Sequence, residues 1–219
     1  MSFFQRIREW IHPGKQPILI LLFKHGTQEE FQTPRVQSKL EQVKKMIDNH
    51  GGTGKSIAIE GLTGSSLDQN AHPLAIAIRE YAKSKGMRVI PLEKWKAVNY
   101  ANLIRNAADK ASEKGDYSLE GKRAYVFTKL REQGFKAALK KQQDLDLIVA
   151  SSVHEQAIRE ASKPGRTIRI GSFLEIIQSI FQAHQLANAS NAFKKRRTAE
   201  KIKKKREKTS PHFFLSNLK

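Results

Sequence analysis

The sequence predicts an α/β protein: a mostly parallel sheet of about five strands flanked by helices, with a basic C-terminal tail that is helical or disordered. Three observations support this prediction. Short apolar runs alternate with longer segments in which apolar residues have helical spacing. The runs are apolar at successive positions, which is typical of strands buried on both faces. From Lys194 onward the chain has too few apolar residues for a core.

Each strand is predicted from one apolar run. The first run follows Pro17 and stops at Lys24, and it is far shorter than the roughly 20 residues of a membrane span. We therefore interpret it as a buried strand. The predicted strands are 18–23, 56–59, 87–92, 147–150 and 167–170.

Helices are predicted where apolar residues recur at intervals of three and four. Thr33 and Pro34 suit a helix start, because threonine can cap a helix and proline fits its first position. Gly134 is predicted to separate two helices. The predicted helices run from 34 to about 48, from 73 to 85, from 95 to about 114, from 118 to 130, from 135 to 142, from 155 to 162 and from 173 to 186.

A chain of 219 residues suits one α/β domain with appendages. We predict an N-terminal segment at 1–14, the α/β domain at 15–192 and the basic tail at 193–219. We predict that the N-terminal segment forms a short amphipathic helix. This helix would dock onto the domain or, alternatively, lie at a membrane interface. Its apolar residues are Phe3, Phe4, Ile7, Trp10 and Ile11.

The chain has no cysteine, which excludes disulfides, thiolate zinc sites and a cysteine nucleophile. Any metal would be held by His, Asp or Glu. No apolar run is long enough to span a bilayer, and the N-terminus lacks a signal-peptide pattern. The sequence therefore predicts a soluble, cytoplasmic protein.

The net charge of +19 predicts a polyanionic partner or, alternatively, a charge that only keeps the protein in solution. Residues 194–208 contain ten basic and two acidic residues. Such a segment would bind RNA or DNA through phosphates, without stacking on bases, because few aromatic residues lie among the charges. The predicted nucleic-acid contacts are Lys194, Lys195, Arg196, Arg197, Lys203, Lys204, Lys205 and Arg206.

Four of the predicted strands are followed by a side chain that can titrate. These are His25, Glu60, Glu93 and His154, after the first, second, third and fourth strands. The carboxyl ends of parallel strands share one edge of a sheet, where ligands bind in open α/β proteins. We therefore expect these side chains to converge.

Several segments follow the pattern of a known superfamily. The segment His25-Gly26-Thr27-Gln28-Glu29-Glu30-Phe31 follows the first strand, and the second strand ends in Glu60. A later helix carries Arg123 followed by Tyr125 and Phe127, and a late strand closes on His154. In this order, over roughly residues 17–171, the chain resembles the erythromycin-esterase-like superfamily, which includes the TraB/PrgY and Tiki proteins and the ChaN-like haem-uptake proteins.

The resemblance implies a hydrolytic site built from His25, Glu60, Arg123 and His154, with a divalent metal in some branches held by His25, Glu60 and His154. Imidazoles and a carboxylate can ligate such a metal or act as general bases, and an arginine can stabilise an oxyanion. Two motifs depart from the family pattern. Phe23-Lys24 replaces a Gly-Glu pair, and Ser151 replaces the glycine of a Gly-x-x-His motif.

Two functions follow as hypotheses. The first is a hydrolase, with or without a metal, that acts on a small molecule or a peptide. The second is a non-catalytic α/β protein that binds nucleic acid through its basic surface and tail. A Toprim-like nuclease using Glu60, Asp144 and Asp146 is a weaker alternative, because the two aspartates precede a strand instead of following one.

Overall fold

A computed structural model describes residues 16–23, 29–64, 71–142 and 144–209. Its five strands are β1 (Ile18–Leu22), β2 (Ser56–Ile59), β3 (Arg88–Pro91), β4 (Leu147–Ser151) and β5 (Arg166–Ile170). Its helices are α1 (Pro34–His50), α2 (Pro73–Ser84), α3 (Trp95–Ser112), α4 (Glu120–Tyr125), α5 (Arg131–Lys140), α6 (Glu155–Ser162) and α7 (Phe173–Thr209). A π-helical turn, Val126–Leu130, joins α4 to α5, and short 3₁₀ turns lie at Glu29–Gln32 and Ser152–His154.

The sheet has the strand order β3-β2-β4-β1-β5, and every pairing is parallel. The chain skips one position between β1 and β2, and β4 later fills the gap. As a result, β1 pairs with β4. In the register of these two strands, Ile18 lies opposite Leu147 and Leu22 lies opposite Ser151. The predicted α/β class and parallel sheet are therefore confirmed, and the carboxyl ends of all five strands lie along one edge.

Helices cover both faces of the sheet. On one face, alternate strand residues such as Ile20 and Ile57 pack against α1 and α2. On the other face, Leu19 and Ile148 pack against the Phe135 side of α5 and against α6. Because each strand buries both sets of alternating side chains, its sequence is apolar throughout.

The start of α7 is fixed by a buried ion pair. Lys39 Nζ lies 2.8 Å from Glu175 Oε1 and also donates to the backbone oxygen of Phe23. Ser172 and Glu175 form a capping box: Ser172 N–H donates to Glu175 Oε2 at 2.9 Å, and Glu175 N–H donates to Ser172 Oγ at 3.3 Å. These bonds tie the first turn of α7 to α1 and to the end of β1.

Two predicted boundaries differ from the structure. The helix predicted to end at residue 186 continues to Thr209. Residues 187–208 are rich in alanine, lysine and arginine, which favour helix, and contain no glycine or proline. Gly134 does not break a helix but lies inside α5, where its lack of a side chain costs only about 1 kcal/mol relative to alanine.

None of the helices in the described part of the chain is long and apolar enough to cross a membrane. The predicted amphipathic segment at 1–14 lies outside the described residues.

Candidate active site

Three titratable side chains converge at the carboxyl edge of the sheet. Glu60 follows β2, Glu93 lies two residues after β3, and His154 ends the 3₁₀ turn after β4. They meet because β2 lies between β3 and β4 in the strand order. Parallel pairing thus brings together residues far apart in the sequence.

Arg131, the first residue of α5, joins the two carboxylates. Its Nη2 atom lies 3.2 Å from Glu60 Oε1 and also pairs with Glu93 Oε1. Its guanidinium carbon lies 4.8 Å from the ring centre of Phe127 and 5.8 Å from that of Phe135. One buried cation between two acids, supported by aromatic faces, fixes the positions of both carboxylates.

His154 is fully buried between two carboxylates. Its Nε2 atom lies 3.6 Å from Glu60 Oε1, and its Nδ1 atom lies 3.8 Å from Glu132 Oε1. Both distances exceed a hydrogen bond, and neither ring nitrogen has a hydrogen-bond partner among the described residues. Buried polar atoms are normally paired, so an unpaired imidazole calls for a functional explanation.

Aromatic side chains hold the imidazole in place. The ring of Phe135 lies edge-on to His154 with centroids 4.9 Å apart, and the ring of Phe127 lies at 5.4 Å. Phe127 belongs to the π turn, so this turn and α5 together close one side of the site.

The backbone also orients the two glutamates. Ser151 N–H donates to Glu60 Oε2 at 2.6 Å, and Gly61 N–H donates to Glu93 Oε1 at 3.3 Å. Glu60 is therefore held from two sides, by β4 and by Arg131.

The site contains more acid than base. Burial raises the pKa of Glu93; the charge of Arg131 lowers it in part, and the negative charge of Glu60 raises it further. Burial also opposes the charged form of Arg131, but the carboxylates of Glu93 and Glu60 outweigh this effect and raise the pKa of the guanidinium. Arg131 is thus a permanent cation that Glu60 and Glu93 already neutralise.

A cleft of about 770 Å³ opens beside the site. Glu132 lines it, as do Ser152 and Val153 from the turn that leads to His154. Its apolar lining includes Phe23 and Ile176. Since Glu132 also faces Nδ1 of His154, this side chain connects the cleft with the buried imidazole.

The structure brings some of the predicted residues together but not others. Glu60 and His154 are neighbours, as expected from their strand-end positions. Arg123 is not at the site, contrary to the resemblance: its side chain is 39 % exposed and pairs with Asp109 at 3.0 Å and with Glu120 at 3.4 Å. The predicted His25 lies outside the described residues.

Sequence reasoning missed Arg131 and Glu132. A π turn, which takes one more residue per turn than an α-helix, lies between the two arginines; Arg131 reaches the sheet edge, while Arg123 pairs with Asp109 on the surface. The available signal was the four-residue spacing of Arg131 and Phe135, which places a cation and an aromatic ring on one helix face.

The predicted metal was tested against the donor atoms. No group of three or more His, Cys, Asp or Glu side chains suited to a metal occurs among the described residues. Glu60 Oε1 and the unpaired His154 Nε2 are 3.6 Å apart, which fits two ligands of one ion with bonds of about 2 Å. Glu60 and His154 therefore fit two of the three predicted metal ligands. The positive charge of Arg131 beside Glu60 opposes the binding of a cation.

Comparison of the chain with protein-family models, curated proteins and solved structures gave no match. The resemblance to the erythromycin-esterase-like superfamily therefore remains a prediction from short motifs.

Proposed function

We propose that this protein is a hydrolase whose active site is formed by Glu60, Arg131, Glu132 and His154. One observation carries the proposal: a fully buried imidazole lies between two carboxylates, and neither of its nitrogens is hydrogen-bonded within the described residues. Structural histidines in a core normally have a partner for at least one nitrogen. A histidine that acts as a general base needs a free ring nitrogen and a neighbouring carboxylate that stabilises the imidazolium.

In the proposed reaction, a water molecule bridges Glu60 Oε1 and His154 Nε2 from one side, since the two atoms are 3.6 Å apart. His154 takes a proton from this water as its oxygen attacks the substrate, and later returns the proton to the leaving group. The carboxylate of Glu132, 3.8 Å from Nδ1, stabilises the imidazolium that forms in between.

Arg131 has a positioning role in this scheme. Because Glu60 and Glu93 already neutralise its guanidinium, it is not free to stabilise an oxyanion, which is the role that the resemblance implied for Arg123. Its contribution is to keep Glu60 beside His154.

A second form of the proposed hydrolase uses a divalent metal. Glu60 and His154 would hold it together with the predicted His25. When bound, such an ion lowers the pKa of a coordinated water. A cytoplasmic location also belongs to the proposal and is supported by the sequence alone.

Nucleic-acid binding is a second candidate, favoured by the exposed basic end of α7. The side chains of Lys194, Lys195, Arg196, Arg197 and Lys201 are exposed, and they belong to one continuous helix. Such an arrangement suits phosphate contacts. Lys203 is also exposed. The structure does not describe the side chains of Lys204, Lys205 and Arg206.

A hydrolysis screen tests the first candidate. Purified protein would be assayed on chromogenic carboxylic and phosphate esters and on fluorogenic peptides, with and without added Zn²⁺ or Mn²⁺. We expect His154→Gln and Glu60→Gln to reduce the rate by about 100-fold or more, the usual contribution of a general base. Arg123→Gln is the matched control, because this arginine lies on the surface, and it should keep the wild-type rate. Equal rates for the control and the two site variants would refute the proposal.

A further inference from the structure

The first part of α7 has its large apolar side chains on the outside. Among residues 173–181, the inward face contains Glu175, 8 % exposed, and Ser179, 5 % exposed. The outward face carries Phe173, Leu174, Ile177, Ile180 and Phe181, which are 79 %, 63 %, 44 %, 63 % and 69 % exposed. We call these five residues the outer stripe. A surface helix normally has the opposite arrangement, with its apolar stripe toward the core.

The outer stripe is large for a water-exposed surface. A phenylalanine has about 150–250 Å² of surface, so Phe173 and Phe181 together expose roughly 300 Å². With the three aliphatic side chains, the stripe reaches the size of the largest apolar patch on a typical monomer, and such patches are often functional. An apolar surface of this size indicates a partner with apolar groups.

The charges that follow the stripe along α7 indicate an anionic partner. From Ile176 to Ala199 the chain contains no Asp or Glu. On the same helix, the exposed cations Lys194 to Arg197 follow the stripe. A helix of 37 residues is about 56 Å long, so the stripe and the cations lie along one rod. At 3.6 residues per turn, Lys195 lies on the same side of the helix as the stripe, and Lys194 and Arg196 lie on either flank of that side.

We propose that the outer face of α7 docks onto an anionic lipid bilayer. The outer stripe would insert among the acyl chains near the headgroups while the cations of the same helix bind acidic headgroups. Basic side chains near such a surface are attracted to it electrostatically. The helix would lie in the plane of the interface, without crossing the membrane.

Other partners explain only part of the surface. Nucleic acid would use the cations but has no need of Leu174, Ile177 or Ile180, since phosphates and base faces do not select aliphatic side chains. A second copy would cover the stripe but would bring another charge of +19 alongside the first. A bilayer with acidic lipids matches both the stripe and the charge.

Vesicle sedimentation with the full chain tests the proposal. The probes are vesicles of phosphatidylcholine alone and vesicles with about 30 % phosphatidylserine. We expect the wild type to bind the acidic vesicles at least about tenfold more tightly than the neutral ones. Ile177→Gln with Phe181→Gln should weaken binding to the acidic vesicles by about tenfold or more, because two inserted side chains are lost.

The matched control is Leu103→Gln with Tyr117→Gln. These residues are 59 % and 67 % exposed and lie outside α7, so their replacement should leave vesicle binding unchanged. Far-ultraviolet circular dichroism of both double variants verifies that each one folds.

Three results would overturn the proposal. The wild type could fail to bind acidic vesicles. The stripe variant could bind them as well as the wild type, which would leave the cations alone responsible and favour nucleic acid. Light scattering could show a wild-type dimer that the stripe substitutions convert to a monomer, in which case a second copy covers the stripe.

Discussion

Glu132 and His154 face each other at 3.8 Å, with Oε1 of the carboxylate directed at Nδ1 of the imidazole. Glu60 lies at the opposite nitrogen, so the imidazole has a carboxylate at each end. In the proposed reaction, the positive charge that forms on the ring would lie between two negative groups. Glu132 belongs to the same helix as Arg131, and α5 therefore supplies two of the four proposed active-site residues.

Replacing Glu132 tests whether it stabilises the charged form of His154. We expect Glu132→Gln to lower kcat by about tenfold or more with little change in KM, since the proposed role is confined to the reaction itself. Glu132→Asp should restore part of the rate. Steady-state kinetics provide the measurement. A purely structural role would instead lower the urea midpoint of unfolding and leave kcat per folded molecule unchanged.

Removing Arg131 should strongly destabilise the fold. Arg131→Met leaves Glu60 and Glu93 without their buried cation, and breaking such a pair costs about 3–5 kcal/mol. Urea unfolding measures the loss. Arg123→Met is the control, because its ion pairs are exposed and worth less than about 1 kcal/mol. Adding Glu93→Gln to the Arg131 variant should recover part of the stability, and equal losses for Arg131 and Arg123 would contradict the buried network.

Glu93 gives the stability a defined pH dependence. Burial raises the pKa of Glu93 above its ordinary value of 4.5, so the folded protein holds this proton more tightly than the unfolded chain. The stabilisation from this proton is complete below pH 4.5 and is lost as the pH rises through the folded-state pKa. The difference in unfolding free energy between wild type and Glu93→Gln should therefore fall with rising pH across this window. A difference that rises with pH would contradict the assignment.

The ion pair at the start of α7 should show the opposite pH dependence. Burial favours the neutral form of Glu175, but the hydrogen bonds from Lys39 and Ser172 outweigh it and hold the pKa of this carboxyl below 4.5. Its stabilisation is present above the unfolded value and is lost as the pH falls through the folded-state pKa. We expect Glu175→Gln to reduce stability at neutral pH, with a difference from wild type that shrinks on acidification. Urea unfolding at a series of pH values measures it, and no change on acidification would contradict the predicted role.

The fold class and part of the site were predictable from the sequence. Strands such as Leu147–Ser151 are buried on both faces, so their apolar runs identify them without tertiary information. The proximity of Glu60 and His154 was predictable from one rule, which is that parallel strands end at a common edge of the sheet. Both inferences depend on local composition and chain direction, which a single sequence contains.

Tertiary structure decided which helical residues reach that edge. Arg123 lies on the predicted helix 118–130 and Arg131 falls between that helix and the next, yet the structure buries Arg131 between Glu60 and Glu93 and leaves Arg123 on the surface. The same holds for α7, whose amphipathic sequence predicts a buried apolar stripe, while the structure buries Glu175 and Ser179 and exposes Phe181. The sequence by itself determined where the strands lie and where they end. The packing of each helix against its neighbours decided which of its faces is buried, because a helix has side chains on all sides and its sequence does not fix the rotation about its axis.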